Sequence, residues 1–206
     1  MRKWIAVTVA VLVVVAGVAA FLLLGGRPDP RAAVLRTEPS TAHYAPIATR
    51  VLDPQPLTVA EMFPGPSVSA GTTRLALKAT ETLADCAEAA WGSALDALDG
   101  CTQALRARYE SEDGEVSGQF LIFNLADSTA ADRLVAALRG DGFVRPAPDT
   151  PEGFDGSRSW AQARALGHYA TVSWVAPVVE GGQVDLTYPQ VAVDGLSLAL
   201  QRRLVR

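Results

Sequence analysis

The chain has 206 residues, with 22 acidic and 18 basic side chains and a net charge of -4. Setting Arg2 and Lys3 aside, 16 bases meet 22 acids, and so acidic a body excludes general nucleic-acid binding, which needs a basic stripe to displace counterions. Lysine occurs only at Lys3 and Lys78 and arginine is plentiful, a compositional bias that strips Arg-for-Lys choices of functional meaning.

Residues 1–3 read as a cytoplasmic stub. Residues 4–24, WIAVTVAVLVVVAGVAAFLLL, carry no charge. About 20 apolar residues suffice to cross a bilayer, so this stretch is expected to be a transmembrane signal anchor, with Arg2 and Lys3 holding the N-terminus inside. A cleaved signal peptide is the alternative. Val18-Ala19-Ala20 offers a small-residue site, but Phe21-Leu22-Leu23-Leu24 prolongs the apolar run. The expected location is the plasma membrane, single-pass, with the C-terminal domain extracytoplasmic. Residues 25–56 contain Pro28, Pro30, Pro39, Pro46, Pro54 and Pro56 and read as a Pro-rich, semi-extended linker. Part of it, around 45–52, could lie along the domain. His43 falls there and reads as solvated.

Residues 57–206 are expected to form one extracytoplasmic α+β domain. Thr58 and Glu61 make a capping-box start for a short turn that Pro64 ends. Leu75, Leu77 and Ala79 alternate with polar neighbours as a strand does. Residues 83–99 read as a helix with Leu83, Ala87, Ala90, Ala94 and Leu98 on one face, closed by Gly100. Strands follow over 102–109 and 115–125, joined at the Glu112-Asp113-Gly114 turn. Asp127 or Ser128 caps a helix to Arg139. Gly142-Phe143-Val144 is a further short strand. This β-α-β-β-α-β order predicts a ferredoxin-like split βαβ sandwich with helices on one face. A C-terminal ββα extension follows: strands over 159–165 and 169–176, then a helix over 196–204 capped by Asp194. Residues 184–188 are a possible extra strand.

Motifs for named reactions are lacking. No G-x-S-x-G, H-E-x-x-H, P-loop, G-x-G-x-x-G or S-x-x-K occurs. His43 and His168 are too far apart in sequence to suggest a metal pair, and no cofactor is expected. Cys86 and Cys101 are the only cysteines, and an oxidising compartment favours pairing them. A straight helix over 83–99 would hold them about 22 Å apart at its rise per residue, so pairing requires a break, with Gly92-Ser93 its natural place; two free thiols or an intermolecular bridge are the alternatives. Alternation turns Leu105, Ala107 and Tyr109 inward and Arg106 and Arg108 outward, with Lys78 and Gln119 on the same side. This makes Lys78, Arg106, Arg108 and Gln119 a candidate face for an anion or a partner; an ordinary solvated sheet face is the bland reading. Trp91, Trp160 and Trp174 read as core or edge packing.

The run Asp85-Cys86-Ala87, Gly92, Leu95, Leu98, Gly100-Cys101-Thr102-Gln103, Arg106-Ala107 and Tyr109, followed by a strand and an Ala-rich helix, resembles uncharacterised actinobacterial membrane-anchored proteins across residues 57–140. The resemblance implies a Cys86–Cys101 disulfide and an extracytoplasmic domain, and offers no catalytic residue. The functional expectation is a membrane-anchored, non-catalytic interaction or sensor module with a protein partner in the cell envelope. A small envelope enzyme without a recognisable motif and a structural accessory subunit are the other readings. Oligomeric state is not legible.

Overall fold

A computed structural model of the chain describes residues 30–179 and 181–205. The segment expected to be a transmembrane anchor, 4–24, lies outside them. Among the described residues no helix is long and apolar enough to cross a membrane.

In chain order the elements are β1 (Val34–Glu38), a 3-10 helix (Ala42–Ile47), α1 (Val59–Met62), β2 (Ser67–Ala70), β3 (Thr73–Leu83), a 3-10 turn (Cys86–Ala89), β4 (Ala90–Gly92), α2 (Ser93–Asp96), β5 (Gln103–Ser111), β6 (Val116–Asn124), α3 (Ser128–Ala137), β7 (Gly142–Val144), a 3-10 turn (Gly156–Arg158), β8 (Trp160–Leu166), β9 (Tyr169–Pro177), α4 (Thr187–Asp194) and a 3-10 tail (Gly195–Arg203). Seven strands form one mixed sheet in the order β1-β8-β9-β6-β5-β3-β2, and β4 and β7 make a separate two-stranded ladder. Only β1 and β8 run parallel. The sheet curls as a half-barrel, and α4 lies in its hollow, touching β2, β3, β6, β8 and β9.

This corrects the expected ferredoxin-like split βαβ sandwich with a ββα extension. The first helix of that order, over 83–99, does not exist. β3 runs on to Leu83, which pairs with Ala104 of β5. Both ends of the intervening segment are therefore neighbours, and a straight helix would carry them about 25 Å apart. The segment folds instead as a 3-10 turn, a short strand and one helical turn. It reverses at Gly92, whose φ of +60° and contact with the Asp141 carbonyl leave no room for a Cβ. The break expected at Gly92-Ser93 is thus present.

Helices on one face are also corrected, because both faces are covered. On one side α3 and the 83–103 loop cover Ala104, Leu121, Phe123, Ala163, Val172 and Trp174; on the hollow side α4, α1 and the 3-10 tail cover Leu105, Phe120, Ile122, Tyr169 and Val175. Every residue of β6 and β9 is consequently buried, the pattern of strands covered on both sides. The domain also starts earlier than expected. Residues 34–38, assigned to the linker, are strand β1 in register with β8 from Val34↔Trp160 to Glu38↔Arg164. Near residue 48 the chain docks again, through a bridge between Thr49 and Asp127. Residues 184–188 hold no strand; α4 begins at Thr187. The expected helix 196–204 is a 3-10 tail running on from α4, and the Asp194 side chain caps nothing there.

Local capping agrees with the sequence. The Thr58 hydroxyl accepts the Glu61 amide at 3.1 Å, and Asp127 accepts that of Ala130 at 2.8 Å.

Candidate functional site

Cys86 and Cys101 are disulfide-bonded, with Cα atoms 6.3 Å apart. The bridge closes the loop between β3 and β5 on the α3 side of the sheet.

The four residues of the candidate anion face do come together. Arg108 stands opposite Gln119 across the β5–β6 ladder, Arg106 lies on the same side two residues away, and Lys78 sits in the irregularity of β3 between Leu77 and Ala79. For three of them the outward, solvated placement is corrected: Arg106 is 3% exposed and Arg108 8%, and Gln119 is buried, whereas Lys78 is exposed as expected. The chain from 145 to 149 lies over them. Gln119 donates to the Arg145 carbonyl at 3.1 Å and accepts the Ala147 amide at 2.9 Å. Arg106 Nε donates to Glu81 at 2.9 Å; Arg108 Nε donates to Asp149 at 2.9 Å, and its Nη1 to Glu110. Lys78 lies 3.5 Å from Glu110. Three cations thus meet three carboxylates, and the cavity left beside them is about 20 Å³, room for about one water. Each of these cations already faces a carboxylate. The physical reason is position: β5 is an inner strand, so its charged face had to be covered and its charges neutralised.

Two other polar groupings are structural. Arg203 Nη1 donates to Asp53 at 3.0 Å and to the Tyr169 hydroxyl at 2.8 Å, and its Nε to Glu61 at 2.8 Å. Burial opposes the guanidinium charge, but the bonds to Glu61 and Asp53 outweigh it and hold Arg203 charged. The cluster ties the tail to segment 53–61. The fully buried His168 uses Nδ1 against the Ile47 carbonyl at 2.8 Å, while its Nε2 has no partner. His43 is exposed. Trp174 is core, donating its indole N–H to Ser159 at 2.7 Å; Trp91 is half-buried and Trp160 exposed.

The open region is the seam where the half-barrel ends, between β1–β8 and α4. Val34, Arg36 and Glu38 of β1 face it and are exposed. Alternation along β8 sends Trp160, Gln162 and Arg164 to this side and Ala161, Ala163 and Ala165 to the core beneath α3. Two recesses lie in the seam. The larger, about 430 Å³, has Glu38, Tyr44, Arg164, Val191, Asp194 and Leu198 in its wall. The smaller, about 110 Å³, is lined by Val34, Arg36, Trp160, Gln162, Gln190 and Val191 among others. Arg164 is held by Asp194 at 2.8 Å and by Glu38. The Ser173 hydroxyl donates to Asp194 at 3.1 Å and accepts from the Gln190 amide at 2.7 Å. Gln162 Nε2 and Gln190 Oε1 are buried and have no partner among the described residues. The rim is apolar, with Val191 56% and Leu198 58% exposed.

Sequence reasoning missed the seam, although the strict Trp-Ala-Gln-Ala-Arg-Ala alternation at 160–165 was a signal that two large polar side chains share one face. Among the described residues no group of three His, Cys, Asp or Glu side chains is placed to hold a metal ion. The chain matches no protein-family model, no curated protein and no solved structure.

Proposed function

We propose that this chain is a non-catalytic interaction module of the cell envelope, anchored in the plasma membrane by residues 4–24, and that it meets a protein partner at the β1–β8/α4 seam. One observation carries the reading. The apolar side chains Val34, Trp160, Val191 and Leu198 stand exposed along a single groove, and concentrated apolar exposure of this kind marks interaction surfaces. Four arginines of the body, by contrast, are each paired with a carboxylate of the same chain: Arg106 with Glu81, Arg108 with Asp149, Arg164 with Asp194 and Arg203 with Asp53. Such saturated pairs hold structure, whereas acid–base chemistry needs a group poised to exchange its proton. The uncharged run at 4–24 and the Arg2-Lys3 flank support the anchor, and the disulfide fits an oxidising compartment.

The test is site-specific photo-crosslinking in intact cells. A photoreactive side chain at Val191 or Leu198 is expected to give a discrete protein adduct, and one at Val51, exposed just after the Thr49–Asp127 bridge and in the wall of neither recess, is not. The Leu198 adduct should vanish when Val34 is replaced by Asp. Equal labelling from Val51, or no seam adduct, overturns the reading. Protease added to spheroplasts should remove the domain; a protected domain, or one released without protease, overturns the anchor.

A further inference from the structure

The seam offers more than apolar area. Gln162 is 8% exposed and its Nε2 donor has no partner; Gln190 commits its own amide nitrogen to Ser173, and its Oε1 acceptor is left buried and bare. Buried polar groups are almost always satisfied, and an unmet donor beside an unmet acceptor describes what the site awaits. Both line the smaller recess. A group that accepts one hydrogen bond and donates another would satisfy both; a hydroxyl or a water can do this, and so can a main-chain amide, which alone of the three brings a side chain to fill the apolar wall of the recess.

The size of the recess narrows the ligand class. At about 110 Å³ it is smaller than the roughly 300–1,000 Å³ of a small-molecule site, so it takes one side chain and its adjoining amide from something longer. The larger recess supplies the continuation. Register places Arg36 opposite Gln162 at the first recess and Glu38 opposite Arg164 at the second, two residues further along both strands. Two residues of an extended chain advance about 6.6 Å, which is how far successive same-side side chains of a bound peptide lie apart.

The two recesses ask for different side chains. Val34, Trp160 and Val191 wall the first with apolar surface, and Arg36 on its rim repels a cation. In the second, two carboxylates, Glu38 and Asp194, share the single guanidinium of Arg164, leaving one negative charge in surplus. We infer that the seam is a peptide-binding groove for an extended polypeptide segment bearing an apolar side chain and, two residues away, a basic one, with the main-chain amide beside the apolar residue met by Gln162 and Gln190. This rests on the reading of the seam as the interaction surface and names its partner's chemistry.

The test uses the full chain in detergent micelles and dye-labelled, end-blocked peptides with the core Val-Ser-Lys in both chain directions, read by fluorescence anisotropy. Saturable binding is expected for at least one direction. Loss of one hydrogen bond or one charge partner should weaken it by about tenfold in each of three cases: Glu for Lys in the peptide, an ester replacing the amide beside Val, and Gln162→Leu in the protein. Gln162→Leu removes an unpartnered buried donor, so its thermal midpoint should hold or rise, which separates lost recognition from lost folding. Glu38→Gln, at an exposed position, should remove the preference for Lys over Glu and leave the ester effect in place. No saturable binding up to millimolar peptide, or equal binding by wild type and Gln162→Leu, overturns the inference. If seam crosslinks form in cells and the peptides fail, the module reading stands and its partner docks a folded surface or a second copy of this chain. If the peptides bind and no seam crosslinks form, the groove's chemistry stands and the module reading fails.

Discussion

Glu81 and Arg106 form an asymmetric pair: the arginine side chain is 4% exposed and the carboxylate 39%. Removing the arginine leaves a carboxylate that water can reach, whereas removing the carboxylate leaves a charge that water cannot, with only the Arg145 and Pro146 carbonyls, each at 3.4 Å, to accept from it. Breaking a buried pair by taking away one partner costs about 3 kcal/mol when the survivor stays dry and about 1 kcal/mol or less when it can hydrate. Urea unfolding should therefore show Glu81→Ala to be the more destabilising change and Arg106→Met the milder one; the reverse order would mean that the guanidinium finds other acceptors. His168 makes a pH-dependent contribution. Burial, its largest influence, pushes the imidazole below its ordinary value, with the Ile47 carbonyl and the Asp53 charge pulling the other way. The unfolded chain thus takes up the proton first as pH falls. The stability contributed by neutral His168 is whole above the ordinary histidine value and is lost as pH drops through the folded one. Measured from pH 7.5 to 5, the urea midpoint of wild type should fall more than that of His168→Gln, and parallel curves would remove His168 as the cause.

At the level of elements, the disulfide closes a 15-residue separation, and chain-entropy reasoning assigns such a loop about 3 kcal/mol. Reduction under native conditions should lower the denaturant midpoint accordingly and loosen the 86–101 segment first, as read by amide hydrogen exchange. Exchange spreading uniformly through β6 and β9 instead would show that the bridge holds the whole sheet. The same segment shows where local pattern stops being informative. Leu83, Ala87, Ala90, Ala94 and Leu98 have helical spacing, and nothing local contradicts it; the strand pairing of Leu83 with Ala104 does. Strands β5, β6, β8 and β9 and helix α3 were legible because their alternation or capping is local. Strand β1 was hidden by composition: Pro30 and Pro39 bracket Val34–Glu38, and the prolines were read as a linker when they bound a strand. The covering of Arg106 and Arg108 was out of reach, because no local pattern says that residues 145–149 fold back over β5. The Cys86–Cys101 pairing was readable from compartment and count. The seam is half-legible: the alternation of Gln162 and Arg164 with alanines is local, but no local pattern places a helix over 187–194 or says that it stands across from them.

At the scale of the whole molecule, β1 decides how far the domain would stand from the proposed anchor. With residues 25–56 as a linker, an extended span of about 30 residues would let the body roam on the order of 100 Å. With β1 in the sheet, the sequence between the apolar run and the first strand is residues 25–33. Fully extended, nine residues span about 30 Å. If residues 4–24 anchor the chain as proposed, the body would ride close to the lipid like a boat on a short mooring, and the seam would sweep a thin layer. A partner would then have to enter that layer, and one confined to the same layer would be present at a high local concentration without strong affinity. A weak, shallow groove is then sufficient for occupancy, because the encounter is a search over an area and no longer through a volume.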